Sequence, residues 1–194
     1  MYIYSRSSNF HLNHIISYLR GIKGFAAGGA FKDILNGKIP RDIDIFFHNE
    51  KDYDRAVKKF KKYSFLYEND NCIAFKDPKN GMQIELIKSI FGSPEEIISK
   101  FDFSITQFAL FFEKNNEGGE YKVVYHSKFF EHLLTKKLVI ERDIPQPVAT
   151  FNRALKYAGY GYGLCRESKS ILLTEIIERG DVQNLNKDLY FGWD

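Results

Sequence analysis

Apolar and polar residues recur with two different periods along the chain, and the period separates predicted strands from predicted helices. Alternating or short apolar runs bounded by turn residues predict strands at residues 24–27, 42–47, 64–68, 72–76, 82–88, 104–113 and 120–126. A period of about 3.6 residues predicts helices at residues 8–19, 30–36, 51–63, 127–138, 148–159 and 168–179, with one more that begins at Ser93-Pro94. We therefore expect an α+β fold, in which helices pack on a mixed, mainly antiparallel sheet and a small helical region follows.

Pro145 and Pro147 mark the change from the mixed part of the chain to the helical part, because the residue before a proline disfavours helix. We expect a catalytic domain at residues 1–144 and a small helical region at residues 145–194. The sequence contains no run of about 18 apolar residues, and its first residues lack the basic and apolar regions of a signal peptide. A cytoplasmic protein without a membrane segment is the expectation.

Charge and cysteine content exclude few functions. The 28 basic and 25 acidic residues give a net charge of +3, which is too balanced to indicate a polyanion partner by itself. Cys72 and Cys165 lie far apart and form no Cys-x-x-Cys motif, so neither a disulfide framework nor a zinc site is predicted.

Three carboxylates are the candidate catalytic residues. Strict alternation in the strand at 42–47 places Asp42 and Asp44 on one face. In the strand at 82–88, Ile84 and Leu86 point to one face and leave Glu85 on the opposite, accessible face. Converging carboxylates are what a pair of Mg²⁺ ions about 3.5–4 Å apart requires for phosphoryl transfer. We predict that these three side chains bind two Mg²⁺ ions, with Mn²⁺ as a substitute.

A glycine turn upstream of these carboxylates is the candidate phosphate site. Gly28-Gly29 opens the helix predicted at 30–36, and backbone N–H groups at such a turn suit a phosphate group. Lys32 lies one turn into that helix and adds a positive charge. Gly28, Gly29 and Lys32 are therefore predicted to bind the triphosphate of an NTP.

Residues 28–45, which contain the glycine turn and Asp-x-Asp, resemble the head-domain motif of the tRNA nucleotidyltransferase and poly(A) polymerase group in the DNA polymerase β superfamily. Residues 101–109 and, more weakly, 151–158 resemble later segments of the same group. The resemblance implies metal-dependent transfer of a nucleoside monophosphate from an NTP, with release of pyrophosphate. It adds Asp102 and Arg153 as candidate nucleotide-binding residues. Taken by themselves, a residue like Asp102 more often caps the following strand, and one like Arg153 more often belongs to a solvated helix face.

The resemblance leaves the substrates open. The segment that selects CTP or ATP in the group is not recognisable here, so ATP is one candidate among the NTPs. An RNA 3′ end, such as that of a tRNA, is the favoured acceptor, and a protein or small-molecule hydroxyl is the alternative. The alternative functions are a toxin-like transferase that modifies tRNA or protein, and a non-catalytic nucleotide- or RNA-binding module. Three clustered carboxylates argue against the last, because they repel one another without a metal. Nothing in the sequence predicts the oligomeric state.

Overall fold

The computed structural model describes residues 1–116, 118–141 and 144–179. Within these residues the strands are Tyr2–Arg6 (β1), Gly24–Ala27 (β2), Asp42–Phe47 (β3), Ser64–Glu68 (β4), Cys72–Lys76 (β5), Gln83–Phe91 (β6), Phe108–Glu113 (β7), Glu120–His126 (β8), Lys137–Leu138 (β9) and Gly163–Leu164 (β10). The α-helices are Asn13–Leu19 (α1), Gly29–Leu35 (α2), Glu50–Phe60 (α3), Pro94–Ile98 (α4), Phe129–Leu134 (α5), Pro147–Ala158 (α6) and Arg166–Arg179 (α7). None of the helices in this part of the chain is long and apolar enough to cross a membrane.

Several segments differ from the elements that the sequence predicts. The helix predicted at 127–138 ends at Leu134, and Lys137–Leu138 instead forms β9, which pairs with the unpredicted β10. The first helix begins at Asn13 rather than near residue 8, and Ser7–Phe10 forms a 3-10 turn after β1. Strand β1 was not predicted, because its residues are mostly exposed or half-buried and show no clean alternation. Ser104–Thr106 also forms a 3-10 turn instead of extending β7, and the Ser104 hydroxyl lies 2.6 Å from His132 Nδ1.

The chain forms two compact units. One contains Met1–Phe101 and Thr106–Ser127, and the other contains Asp102–Ile105 and the described residues from 128 to 179. The first unit holds the large sheet with α1 to α4, and the second holds α5 to α7 with a parallel pair of short strands, β9 and β10. The predicted limit of the catalytic domain at residue 144 stays a prediction, since compactness does not show which residues catalysis requires.

The sheet of the first unit has eight strands in the order β1-β8-β7-β2-β3-β6-β5-β4. Its neighbouring strands run antiparallel except for β3 and β6, which run parallel. The expected α+β fold with a mixed, mainly antiparallel sheet is therefore confirmed.

Both faces of the sheet bury apolar side chains around β3. Ile43 and Ile45 of β3 pair with Ile84 and Leu86 of β6, and all four side chains are fully buried. On the opposite face, β3 contributes Phe46 to a cluster that includes two residues of α4, and Asp42 and Asp44 share that face by alternation. Burial of both faces fixes the position of β3 in the sheet.

Capping residues set the beginnings of α3 and α4. The Asn49 side chain accepts a hydrogen bond of 3.0 Å from the Asp52 N–H at the first turn of α3. Ser93 and Glu96 form a reciprocal capping box at the start of α4, as its sequence predicts. The hydrogen bonds from Ser93 lower the pKa of the Glu96 carboxyl group.

Candidate active site

One row of paired residues crosses five strands and contains two of the three predicted carboxylates. Ala27 of β2 pairs with Asp44, Asp44 pairs with Glu85 of β6, Glu85 pairs with Ala74 of β5, and Ala74 pairs with Tyr67 of β4. Directly paired residues point to the same face of a sheet, and adjacent strands lie about 4.8 Å apart. Asp44 and Glu85 are therefore nearest neighbours across the parallel pair.

The third carboxylate lies in the same strand as Asp44. Asp42 pairs with Gln83 of β6, two positions before the Asp44 pair, and therefore points to the same face. Asp42 and Asp44 are half-buried, whereas Ile43 between them is fully buried on the other face. The structure thus places Asp42, Asp44 and Glu85 on one face of two adjacent strands.

Glu85 is buried and hydrogen-bonded rather than accessible. Only 4% of its surface is exposed, so the expectation of an accessible face was wrong. The reason is contact with three side chains: the Tyr67 hydroxyl and Gln83 Nε2 each donate to Oε1 at 2.7 Å, and Cys72 Sγ lies 3.5 Å from Oε2. The carboxylate is therefore held in one orientation.

Two of these neighbours stay protonated at neutral pH. Burial, followed by the contact with Glu85, raises the pKa of the Tyr67 hydroxyl. The same causes raise the pKa of the Cys72 thiol to about 12. Both groups therefore remain donors to the Glu85 carboxylate across the physiological range.

Tyr67, Gln83 and Cys72 were not predicted as site residues. Gln83 could have been found, because alternation places it on the same face as Glu85. Tyr67 could not, because β4 contains a bulge: Phe65 pairs with Phe75 but Tyr67 pairs with Ala74, so two residues of β4 advance against one of β5. The bulge turns Tyr67 to the face of Glu85, whereas strict alternation would keep it on the face of Phe65.

The glycine turn brings the start of α2 close to Asp44. Gly28 has a φ of +104° and a ψ of −152°, a conformation that is essentially restricted to glycine. A Cβ atom at Gly28 would lie 3.4 Å from Asp44 Oδ2. The Gly28 N–H donates to the Phe108 carbonyl at 3.0 Å, so backbone donors for a phosphate would have to come from Gly29 onward.

The predicted basic residues of the nucleotide site are engaged with carboxylates. Lys32 is 4% exposed and forms an ion pair with Asp33. In the second unit, Arg153 forms an ion pair with Asp102 at 2.5 Å. The sequence singled out Asp102 and Arg153 separately, and the structure brings them together as a pair. Their contacts with a nucleotide stay predictions.

The carboxylates do not stand as a preassembled metal site. Among residues 1–116, 118–141 and 144–179, no three His, Cys, Asp or Glu side chains are grouped so as to hold a metal ion. Asp42 and Asp44 on β3 and Glu85 on β6 nevertheless supply three carboxylates from adjacent positions.

The fold is similar to that of the polymerase β-like nucleotidyltransferases, as the sequence resemblance predicts. A CCA-adding enzyme in complex with ATP superposes with a TM-score of 0.70 at 16% identity, over 97% of this chain and 51% of that one. The Thermotoga maritima CCA-adding enzyme complexed with tRNA gives a TM-score of 0.65 at 14% identity, over 97% and 50%. A tRNA nucleotidyltransferase complexed with a primer tRNA and an ATP analogue gives 0.63 at 19% identity, over 90% and 54%. The chain thus spans about half of each of these proteins.

Sequence comparison identifies a family that is named for a role other than nucleotide transfer. Residues 3–136 match the family model described as "Gad2: Gabija anti-defense 2 family protein". A curated relative, "Gabija anti-defense 2" from Bacillus phage SPbetaL7, is 25% identical over 171 residues. The matched region is 82% of this chain and 39% of the relative, so the chain spans well under half of the relative's length.

Substitution of Gly28 tests the close approach of the glycine turn to Asp44. Gly28→Ala should lower the free energy of unfolding by about 1–3 kcal/mol, because alanine does not tolerate this backbone conformation. Gly163→Ala is the matched control, since Gly163 lacks a positive φ and its Cβ would meet no atom within 4 Å. Urea unfolding measures both. Equal stability of the two variants would contradict the strained turn.

Proposed function

The chain belongs to the Gabija anti-defense 2 family, and we propose that it is a metal-dependent nucleotidyltransferase. It would transfer a nucleoside monophosphate from an NTP to a hydroxyl group and release pyrophosphate. One observation carries the proposal: Asp42 and Asp44 share a face of β3, and Glu85 stands beside Asp44 in register on β6. This arrangement occurs on a nucleotidyltransferase-like fold.

The donor set at this site fits a hard divalent cation. All three predicted ligands are carboxylates, which Mg²⁺ prefers over imidazole or thiolate. Gly28 has no side chain at the point where a Cβ would approach Asp44 Oδ2 to 3.4 Å, which leaves space beside that oxygen. Asp42, Asp44 and Glu85 would hold two Mg²⁺ ions, with Mn²⁺ as a substitute. When bound, the ions would lower the pKa of the acceptor hydroxyl and neutralise phosphate charge.

The remaining steps fall to residues of the chain itself. Gly29 at the start of α2 would donate its backbone N–H to the triphosphate. Lys32 is buried at this helix and paired with Asp33. On nucleotide binding, its ammonium group would release Asp33 and bind a phosphate oxygen. Glu85 would take up the proton of the acceptor hydroxyl. Asp102 and Arg153 are proposed to contact the nucleotide as an ion pair.

The acceptor is proposed to be an RNA 3′ end, with a protein hydroxyl as the alternative. Support comes from the similar structures, two of which are complexes with tRNA. The similarity to those proteins is below 25% identity, so the acceptor of this chain has to be measured. A toxin-like transferase that modifies tRNA or protein would use the same carboxylates and would differ only in its product.

The family name indicates the biological role that we propose for the reaction. The phage relative is named for activity against the Gabija defence, and we propose that this chain also counters that defence, by modifying an RNA or protein on which the defence depends. A second candidate is a non-catalytic module that binds a nucleotide or RNA. The observation in its favour is that, in the described residues, no three His, Cys, Asp or Glu side chains are grouped so as to hold a metal ion.

Labelled NTPs test the transfer reaction. We expect the purified protein, with Mg²⁺, total cellular RNA and each α-³²P-labelled NTP, to label one fraction among RNA, protein and small molecules. Asp44→Asn should abolish the label, because it removes a metal ligand. Its melting temperature in Mg²⁺-free buffer should be unchanged or higher, because one of several repelling carboxylates is neutralised.

Asp54→Asn is the matched control for this assay, since Asp54 is exposed on α3 outside the site. It should label like the wild type. An unfolded Asp44→Asn variant, or one with full activity, would contradict the assignment of the carboxylates. No label with any NTP would favour the binding module.

A phage infection assay separates catalysis from binding in the anti-defence role. Bacteria that carry the Gabija defence are infected with a phage that the defence blocks, in the presence of the wild-type chain or Asp44→Asn. If transfer counters the defence, the wild type restores plaques and Asp44→Asn does not. Restoration by both proteins would support the binding module, and restoration by neither would contradict the anti-defence role.

A further inference from the structure

We propose that Tyr67 is a positioning residue for Glu85, and that it leaves Oε2 of that carboxylate as the oxygen that binds metal. The inference rests on the proposed function, because it concerns the same metal site. The observation that carries it is a hydrogen bond of 2.7 Å from the Tyr67 hydroxyl to Glu85 Oε1. This bond joins the edge strand β4 to the central strand β6, with β5 between them.

Two features of the sheet allow Tyr67 of β4 to reach Glu85 of β6 across β5. The bulge in β4 turns Tyr67 to the face that carries Glu85 and Asp44. The residue between them in the row is Ala74, which is fully buried. Strands β4 and β6 are two strand spacings apart, about 9.6 Å, and the single methyl group of Ala74 leaves room for Tyr67 and Glu85 to meet above β5. A larger residue at position 74 would occupy that space.

The two oxygens of Glu85 differ in their contacts. Oε1 accepts from the Tyr67 hydroxyl and from Gln83 Nε2, each at 2.7 Å, and these two donors use both of its lone pairs. In the described part of the chain, Oε2 is contacted by Cys72 Sγ at 3.5 Å, and a thiol is a weak donor. Oε2 therefore keeps the capacity to bind a cation, and ligation by Glu85 would be monodentate.

Hydrogen bonds of this kind fix the direction of a ligating carboxylate before the ion arrives. Loss of such a partner typically weakens metal binding on the order of 10–100-fold. Tyr67 lies on the edge strand and is 38% exposed, so removal of its hydroxyl group leaves the core of the sheet intact. Tyr67→Phe therefore isolates the hydrogen bond from the packing of the ring.

The test measures Mn²⁺ binding by electron paramagnetic resonance, which does not depend on knowing the acceptor. The wild-type chain is compared with Tyr67→Phe and with the control Tyr63→Phe, whose ring packs against Tyr18 and Phe60. Tyr67→Phe should raise the Kd for Mn²⁺ on the order of tenfold or more, and Tyr63→Phe should leave it unchanged. Melting temperatures in metal-free buffer identify any purely structural effect, which would lower stability without changing the Kd.

A double-mutant cycle shows whether Tyr67 acts through Glu85. In the Glu85→Gln background, Tyr67→Phe should cause no further rise in the Kd, because the group it positions is already altered. Gln83→Ala removes the other donor to Oε1 and should weaken Mn²⁺ binding in the same direction. This variant keeps the test valid if Glu85→Gln does not fold.

The outcomes separate this inference from the proposed function. A wild-type chain that does not bind Mn²⁺ would overturn the metal site and this inference with it. A wild-type chain that binds Mn²⁺, with an unchanged Kd in Tyr67→Phe or with additive effects in the double variant, would overturn the positioning role alone. A raised Kd for Tyr67→Phe that disappears in the Glu85→Gln background would support it.

Discussion

The register between the parallel strands β3 and β6 is the constraint on which the rest of the site depends. Ile43 and Ile45 pair with Ile84 and Leu86 in the core, so Asp44 and Glu85 pair on the opposite face. A shift of one residue would move Ile43 and Ile45 to the opposite face, away from Ile84 and Leu86. Burial of one face therefore fixes the carboxylates of the other face relative to one another.

The same logic explains what the sequence could predict. Alternation alone assigns Asp42 and Asp44 to one face and Glu85 to the face opposite Ile84 and Leu86. It cannot show that β3 pairs with β6, because that pairing joins strands far apart in the chain. Nor can it show that Glu85 is buried, because the burial depends on a bulge in β4 that breaks the alternation. The unpredicted strand β1 likewise depends on pairing with the distant β8.

Buried charged groups at the candidate site already have partners in the folded chain. Lys32 pairs with Asp33, and Glu85 accepts from Tyr67 and Gln83. These partners follow from the physical cost of burying a charge without a counterpart, and sequence alone does not reveal them. Phosphate binding by Lys32 at this site would require exchange of its Asp33 partner. The same surface would serve either catalysis or the binding of a nucleotide or RNA. Substitution of the carboxylates distinguishes the two functions, because only catalysis requires them as metal ligands.

A crystal structure of the chain soaked with Mn²⁺ and a non-hydrolysable NTP tests the central claim most directly. Anomalous scattering locates manganese independently of any assumption about its ligands. We expect manganese peaks between the triphosphate and the side chains of Asp42, Asp44 and Glu85, with Oε2 as the ligating oxygen of Glu85. Nucleotide bound without manganese at these carboxylates, or manganese bound only elsewhere, would contradict the claim that they form the catalytic metal site.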